Sequence, residues 1–463
     1  MRQQRQFNLR RHSGNLRAKL GVGVVSLLRR LAVIGSLVLL PASPIAAGAG
    51  ALSAGAAWVD ITPDPRMTNW VGQKPYDGVV DPVFARALVI AEGSNRVAIL
   101  CWDLVDAREG AVAEVRRAIT KACGIEGSHV VVNASHTHSA PWSPVENDRL
   151  VAEERKTLAP ILSDPAYHRW RRELIEKSAA VVKQADAARR PATLAIARAV
   201  VPEVVFNRRP RKADGLVQTV FEPADPFVQP DGMRFGPLDP TLTVLAFRDS
   251  EGHALATLFH FPCHPVAVYP YHKGISADWP GTVASRLASA TGGDALFVQG
   301  CAGDIVPARR GLEARDQMAR LVADRAAAAL KVAAPLSTNR LEIAQATVKL
   351  PLTEVAQRDM GPEPFSGEVQ VIAVGPLAMV TLPGEPLIGL AIAIQARSPF
   401  PHTLVLGYSN GYGVQYVGLP GEKARGGYEM GTAGSGVDEC GGLLVEAAVR
   451  LLEATHARQS TRN

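Results

Sequence analysis

The sequence predicts an α/β protein in which mixed parallel and antiparallel sheets carry packed helices. Three observations predict it. Short apolar, β-branched runs alternate with stretches of helical period. Two pairs of these runs are separated by turn residues alone, which marks antiparallel hairpins. Other runs are separated by a helix-length stretch, which marks parallel pairing through a right-handed crossover.

Taken in order, "RVAILCWDLVD" reads as a strand and "GAVAEVRRAITKACG" as a helix closed by Gly124. "SHVVVNAS" supplies the next strand and completes a βαβ unit. "LTVLAFRD" and "HALATLFHF", separated by "SEG", form a hairpin. "GTVASRLASATG" is helical and "DALFVQG" is a strand. Residues 313–334 form a long Ala-rich helix. "VQVIAVGPLAMVTL" breaks at Gly375-Pro376 into a second hairpin. The helix "PLIGLAIAIQARS", the strand "HTLVLGYSN" and a helix near 438–457 complete the pattern. Segments 60–82, 140–168 and 206–240 are rich in Pro, Gly, Asp and Trp and read as long loops, where function concentrates. A pseudo-duplication of two similar α/β halves, meeting near residue 200, is a further expectation.

Charge is unevenly placed. The formal net charge is +6, but residues 1–50 hold eight Lys/Arg and no acid. Removing those eight from fifty leaves 42 basic against 44 acidic residues, so the remainder is near neutral. Nothing here argues for a nucleic-acid partner. The leader places Arg10, Arg11, Arg17, Lys19, Arg29 and Arg30 ahead of "LAVIGSLVLLP" and the small residues "ASPIAAGAGA". That order is the pattern of a secretory signal peptide over 1–50, so the expected location is secreted or periplasmic. An uncleaved membrane anchor is the weaker alternative, because Arg29 and Arg30 interrupt the apolar span. The five cysteines fit no zinc-finger spacing, and Cys101 and Cys263 sit in apolar runs as buried thiols.

Polar side chains then gather where strands end. His136 and His138, in "NASHTHSAP", follow "HVVV"; on a strand end, residues i and i+2 point the same way. His264 follows "ATLFHF", Asp304 follows "ALFVQG", and Glu385 follows "AMVTL". Tyr412 and Tyr416 follow "TLVLG". Ligands of open α/β sheets collect at the carboxyl ends of strands. Two neutral imidazoles and one carboxylate offer zinc an N2O donor set with a position open for water, the pattern of a hydrolytic site. Such an ion lowers the pKa of bound water to about 7 and polarises a carbonyl.

"ASHTHSAP", "FPCHPV", "GDIVP", "LPGE" and "NGY…QYV…GGYE", in this order from about residue 54 to the end, resemble the neutral/alkaline non-lysosomal ceramidases, a family of zinc amidohydrolases. The resemblance implies one catalytic domain over 51–463. It implies zinc ligands at His136, His264, Glu385 and Tyr416, with Tyr412 competing for the last role. It further implies that His138 contacts the scissile carbonyl and that Arg208, in "FNRRP", assists. A small-molecule or lipid-like N-acyl substrate, with peripheral membrane contact, is the implied partner.

Two departures stand out. The family's serine in a "GDVSPN"-like motif is replaced by Val306, which excludes a serine nucleophile there and favours metal-activated water. The family also carries a C-terminal β-sandwich-like domain, and the expectation is that this chain has none. The expected activity is zinc-dependent amide hydrolysis. An esterase or lactonase on the same site, or a binding protein with a degenerate site, are the alternatives. Several residues keep two readings. Asp304 either caps the next segment or orients a ligand histidine. Asp278 starts a helix or walls the site. Glu385 also sits where helix dipoles favour a carboxylate. Arg208 and Arg209 can be a solvated pair. Trp70, Trp142 and Trp279 can pack on an acyl group or anchor loops, and His253, His260 and His272 read as structural.

Overall fold

The sheet edges and helices recur in a fixed order three times along the chain, as seen in a computed structural model. It describes residues 52–146, 148–228, 232–336 and 340–461, so the expected leader lies outside the described residues. Each unit is three antiparallel strands, a helix, a fourth strand parallel to the third, and a return helix. The first unit uses strands Leu52–Asp60, Phe84–Glu92 and Asn95–Trp102, helix Glu109–Cys123, strand Val130–Ala134 and helix Pro165–Ala187. The second uses Thr193–Val200, Thr241–Arg248 and Ala254–His260, helix Asp278–Thr291, strand Asp294–Val298 and helix Leu312–Leu330. The third uses Leu341–Leu350, Phe365–Val374 and Leu377–Thr381, helix Ile388–Arg397, strand His402–Leu406 and helix Cys440–Thr461.

In every unit the sheet runs fourth, third, second, first strand. The third and fourth strands are parallel. That pairing needs a crossover, and the helix between them supplies it. The mixed α/β class is therefore as expected, but the two halves are three units: a boundary does fall near residue 200, and a second falls before Leu341. The loops between first and second strands differ in length and hide the repeat in the sequence.

Local chemistry explains the element ends. Gly124 takes φ +73 and closes the helix Glu109–Cys123, its N–H donating to the Thr120 carbonyl. Gly375, at φ +55, turns the tight hairpin that pairs Val374 with Leu377. The segment 140–168 is not wholly a loop: it contains helix Ala152–Leu162 and the start of helix Pro165–Ala187. The prolines that suggested a loop include Pro165, which occupies a first helical turn where no N–H is needed. Asp164 caps that helix by accepting from the Ala166 N–H. All five cysteines are free, and no helix among the described residues is long and apolar enough to cross a membrane.

One apolar core joins the three sheets. Ile99 and Val131, Leu258 and Leu296, and Met379 and Leu404 belong to a single buried cluster, one pair from each unit. The opposite strand faces pack on helices: Leu100 and Val132 meet Val115 and Leu174, and Phe259 and Phe297 meet Trp279 and Leu287. Burial on both faces is why these strands read as unbroken apolar runs. At their carboxyl ends the fourth strands are tied together. The Asn133 side chain donates to the Gly407 carbonyl at 2.7 Å and accepts from the Gln299 N–H at 2.8 Å. Gln299 Nε2 donates to the Ser135 and Cys263 carbonyls. These partners have no water to fall back on. Asn133→Ala strands two of them, so the free energy of unfolding in urea should drop by about 2–4 kcal/mol. An unchanged denaturation midpoint would remove Asn133 as the tie between units.

Candidate metal centre

The loops leaving the third and fourth strands deliver the polar residues. Strand Val130–Ala134 stops before His136, which takes φ +69. The two histidines of "SHTHS" therefore do not share a strand face; a turn brings them together. His136 N–H donates to the Leu104 carbonyl and His138 N–H to that of Pro265, which ties this turn to the first and second units. His264 N–H donates to the Ile305 carbonyl. Glu385 N–H donates to the Gln415 carbonyl, and Glu385 pairs in register with Tyr416.

Backbone carbonyls decide the histidine tautomers. His136 Nδ1 lies 2.6 Å from the Val105 carbonyl, and His264 Nδ1 lies 2.5 Å from that of Ala302. A carbonyl only accepts, so both Nδ1 atoms carry the proton and both Nε2 atoms present lone pairs. Those lone pairs face a carboxylate. Glu385 Oε2 lies 3.1 Å from His136 Nε2 and 3.5 Å from His264 Nε2. His138 Nε2 is 3.1 Å from His136 Nε2, and the three imidazoles offer ligand atoms within 4.8 Å of one another. Among the described residues, buried His264 Nε2 and Glu385 Oε2 have no hydrogen-bond partner. His136 Nε2, His264 Nε2 and Glu385 Oε2 face one another as acceptors, which suits a cation.

Electrostatics agree. Burial, then the neighbouring Arg208 and His136, pushes the His264 pKa down to about 3. Burial, followed by His136 and His264, also holds His138 well below the usual histidine range. Two imidazoles kept neutral by burial, His138 and His264, stand with His136 and one carboxyl group, the donor chemistry of zinc.

Two arginines brace the far side. Arg208 is 4 % exposed; Nη2 donates to the Tyr416 hydroxyl at 3.0 Å and to the Gly303 carbonyl at 2.7 Å. Its Nε donates to Glu429 Oε1 at 2.6 Å, and Arg209 donates to Glu429 Oε2 at 2.8 Å. The Arg208–Arg209 pair is therefore buried and carboxylate-bound, not solvated. Tyr412 donates to Glu385 Oε1 at 2.7 Å, which leaves Oε2 to the histidines. The Tyr412 ring lies over the Arg108 guanidinium at 4.6 Å, and Arg108 is held by Asp106 and Glu154. Trp70 and Tyr269 each lie 5.5 Å from the His138 ring, and Trp142 stacks beside Trp70.

Residues 53–320 match the family model described as neutral/alkaline non-lysosomal ceramidase, N-terminal. The chain belongs to this family. Two solved structures share its fold. Neutral ceramidase from Pseudomonas aeruginosa superposes with a TM-score of 0.69 at 18% identity, over 88% of this chain and 75% of that one. A ceramidase complexed with C2 gives 0.69 at 17% identity, over 88% of this chain and 76% of that one. No curated protein sequence matches the chain.

Within this ceramidase fold some sequence readings change. Asp304 orients no histidine. Its carboxylate accepts from the Ile388 N–H and Asn207 Nδ2, and its carbonyl accepts from the Arg208 N–H, so it sets the loop that carries Arg208. Asp278 does not wall the site: at φ +56 it accepts from the Val268 and Trp279 N–H groups at a helix start. Trp279 is fully buried against Phe261 and Phe297, unlike Trp70 and Trp142. Val306 packs with Phe206 and Val266, leaving no hydroxyl there. His260 is structural as expected, its Nε2 bonded to the Val405 carbonyl. Arg108, Tyr408 and Glu429 went unread. "DLVDAREG" does follow a strand, so the strand-end rule could have found Arg108.

Glu109 supports the tyrosine loop, accepting from the Gly413 N–H at 2.9 Å. Burial raises its pKa to about 7. The folded state then holds a proton that the unfolded chain has released, so stability falls as pH rises from about 4.5 to 7. Glu109→Gln lacks this titration. Its unfolding free energy should overtake wild type by about 3 kcal/mol between pH 4.5 and 8, read by urea denaturation; parallel curves would mean Glu109 is ionised throughout.

Proposed function

We propose that this chain is a zinc-dependent hydrolase of N-acyl amide bonds, with a ceramide-like or related lipid substrate. One observation carries it: His136 Nε2, His264 Nε2 and Glu385 Oε2 converge, with the Nδ1–H of each histidine held by a backbone carbonyl. These three residues would hold the ion, with Tyr416 as the fourth ligand, steadied by Arg208. When bound, zinc polarises the acyl carbonyl and brings the pKa of water to about 7.

The chain's own residues supply the rest. Tyr412 keeps Glu385 Oε1 occupied, so the carboxylate stays a ligand and is not free to carry protons. That leaves His138 for proton transfer. It stands at the half-buried edge of the centre, beside His136, where its imidazole can take a proton and pass it to the leaving amine. Arg208 holds positive charge beside Tyr416, where negative charge builds on the acyl oxygen. Trp70, Trp142 and Tyr269 offer an apolar wall for the acyl group next to His138.

Purified protein should contain zinc and cleave N-acyl amides faster than matched O-acyl esters. His136→Ala should lose both zinc and turnover. His138→Gln should keep zinc while kcat falls by about 10²–10⁴-fold. Retained zinc with full turnover in His136→Ala would end the assignment, and ester preference would convert the proposal to an esterase. The basic and then apolar residues 1–50 support export. Fractionation of a producing cell should find the protein, shortened at its N-terminus, outside the cytoplasm; full-length cytoplasmic protein would count against export.

A further inference from the structure

Three tyrosines follow the last parallel strand, and two have partners: Tyr412 on Glu385 and Tyr416 on Arg208. The third, Tyr408, is 1 % exposed and its hydroxyl has no hydrogen-bond partner among the described residues. Buried polar groups without a partner are rare and call for an explanation. Its backbone takes φ +51, a region that bulky residues seldom enter. Two hydrogen bonds hold it there. Tyr408 N–H donates to the carbonyl of Gly384, next to Glu385, and its carbonyl accepts from the N–H of Ala134, two residues before His136. The conformation is thus over-determined by the same segments that carry two of the ligands, the setting in which strain marks function.

The ring is placed as firmly as the backbone. It lies 4.3 Å from the His136 ring, with the planes inclined by 33°, and meets the His264 ring edge-on at 6.2 Å. The Tyr408 side chain thus lies against the two imidazoles proposed to hold the ion. It is a rigidly held donor with nothing among the described residues to receive its hydrogen.

We propose that the Tyr408 hydroxyl donates a hydrogen bond to an oxygen of the ligand bound at the metal centre. Only the identity of that ligand, an acyl oxygen during turnover, rests on the hydrolase reading. Tyr408→Phe keeps the ring against His136 and removes the donor alone. The probes are zinc affinity by chelator competition, acetohydroxamate binding to the zinc-loaded protein, thermal unfolding and steady-state kinetics. The Phe variant should keep its zinc affinity and unfold at the same or higher temperature, because it loses an unpaired buried hydroxyl. It should bind acetohydroxamate about tenfold more weakly, with kcat reduced about 10²-fold and KM near wild type. Unchanged hydroxamate affinity, or a lowered unfolding temperature with unchanged kcat, overturns the proposal. Wild-type protein that binds zinc and hydroxamate but cleaves no acyl substrate would count against the hydrolase reading alone.

Discussion

Two backbone carbonyls, those of Val105 and Ala302, govern the centre by occupying the Nδ1–H groups of His136 and His264. Each carbonyl forces a lone pair onto the opposite nitrogen, and both lone pairs then face Glu385 Oε2. In a buried, low-dielectric setting, acceptors crowded against acceptors are unfavourable until a positive charge joins them. The arrangement is intelligible as one half of an ion-binding interaction. Tyr412, Arg208 and Tyr408 fall into place around it, each acting on a ligand or on the space beside one.

The fold makes this convergence possible through repetition. Each of three similar units contributes a residue of the candidate centre beyond its third or fourth strand: His136 from the first, His264 from the second and Glu385 from the third. The site is therefore assembled from residues far apart in the chain yet close to rigid strand ends. Asn133 and Gln299 lock the fourth strands together just beneath the ligands. Left-handed backbone at His136, Tyr408 and Asn410 marks where the chain bends sharply to aim a side chain rather than to continue a strand.

Around the ligands lies a shell of buried ion pairs: Arg208 and Arg209 on Glu429, and Arg108 on Asp106 and Glu154. Such pairs contribute little net stability, because desolvation offsets their attraction. Their value here is geometric. Glu429 splits its two oxygens between two arginines, and this holds the Arg208 guanidinium against Tyr416. Arg108, sandwiched between Trp142 and Tyr412, holds the tyrosine that in turn holds Glu385.

The residues that meet at the candidate centre and the α/β class were legible in the sequence because both depend on local patterns. An apolar run followed by a polar residue announces a strand end, and His136, His264, Asp304 and Glu385 each sit directly after one. Other features depend on distance in space, which no local pattern records. The strand reading of His136 and His138 reached the right pair by the wrong geometry, since a positive φ rather than strand alternation brings them together. The burial of Arg208 rests on Glu429, more than two hundred residues away, and Asp304 turned from the histidines to Asn207 and Ile388. Tyr412 and Tyr416 carry the same hydroxyl, so their separate tasks followed only from which partner each could reach. The chain's chemistry thus determined which groups can bind a cation. Packing of the three units decided which of them meet, because hydrogen bonds and coordination act over a few ångströms that only the folded chain closes.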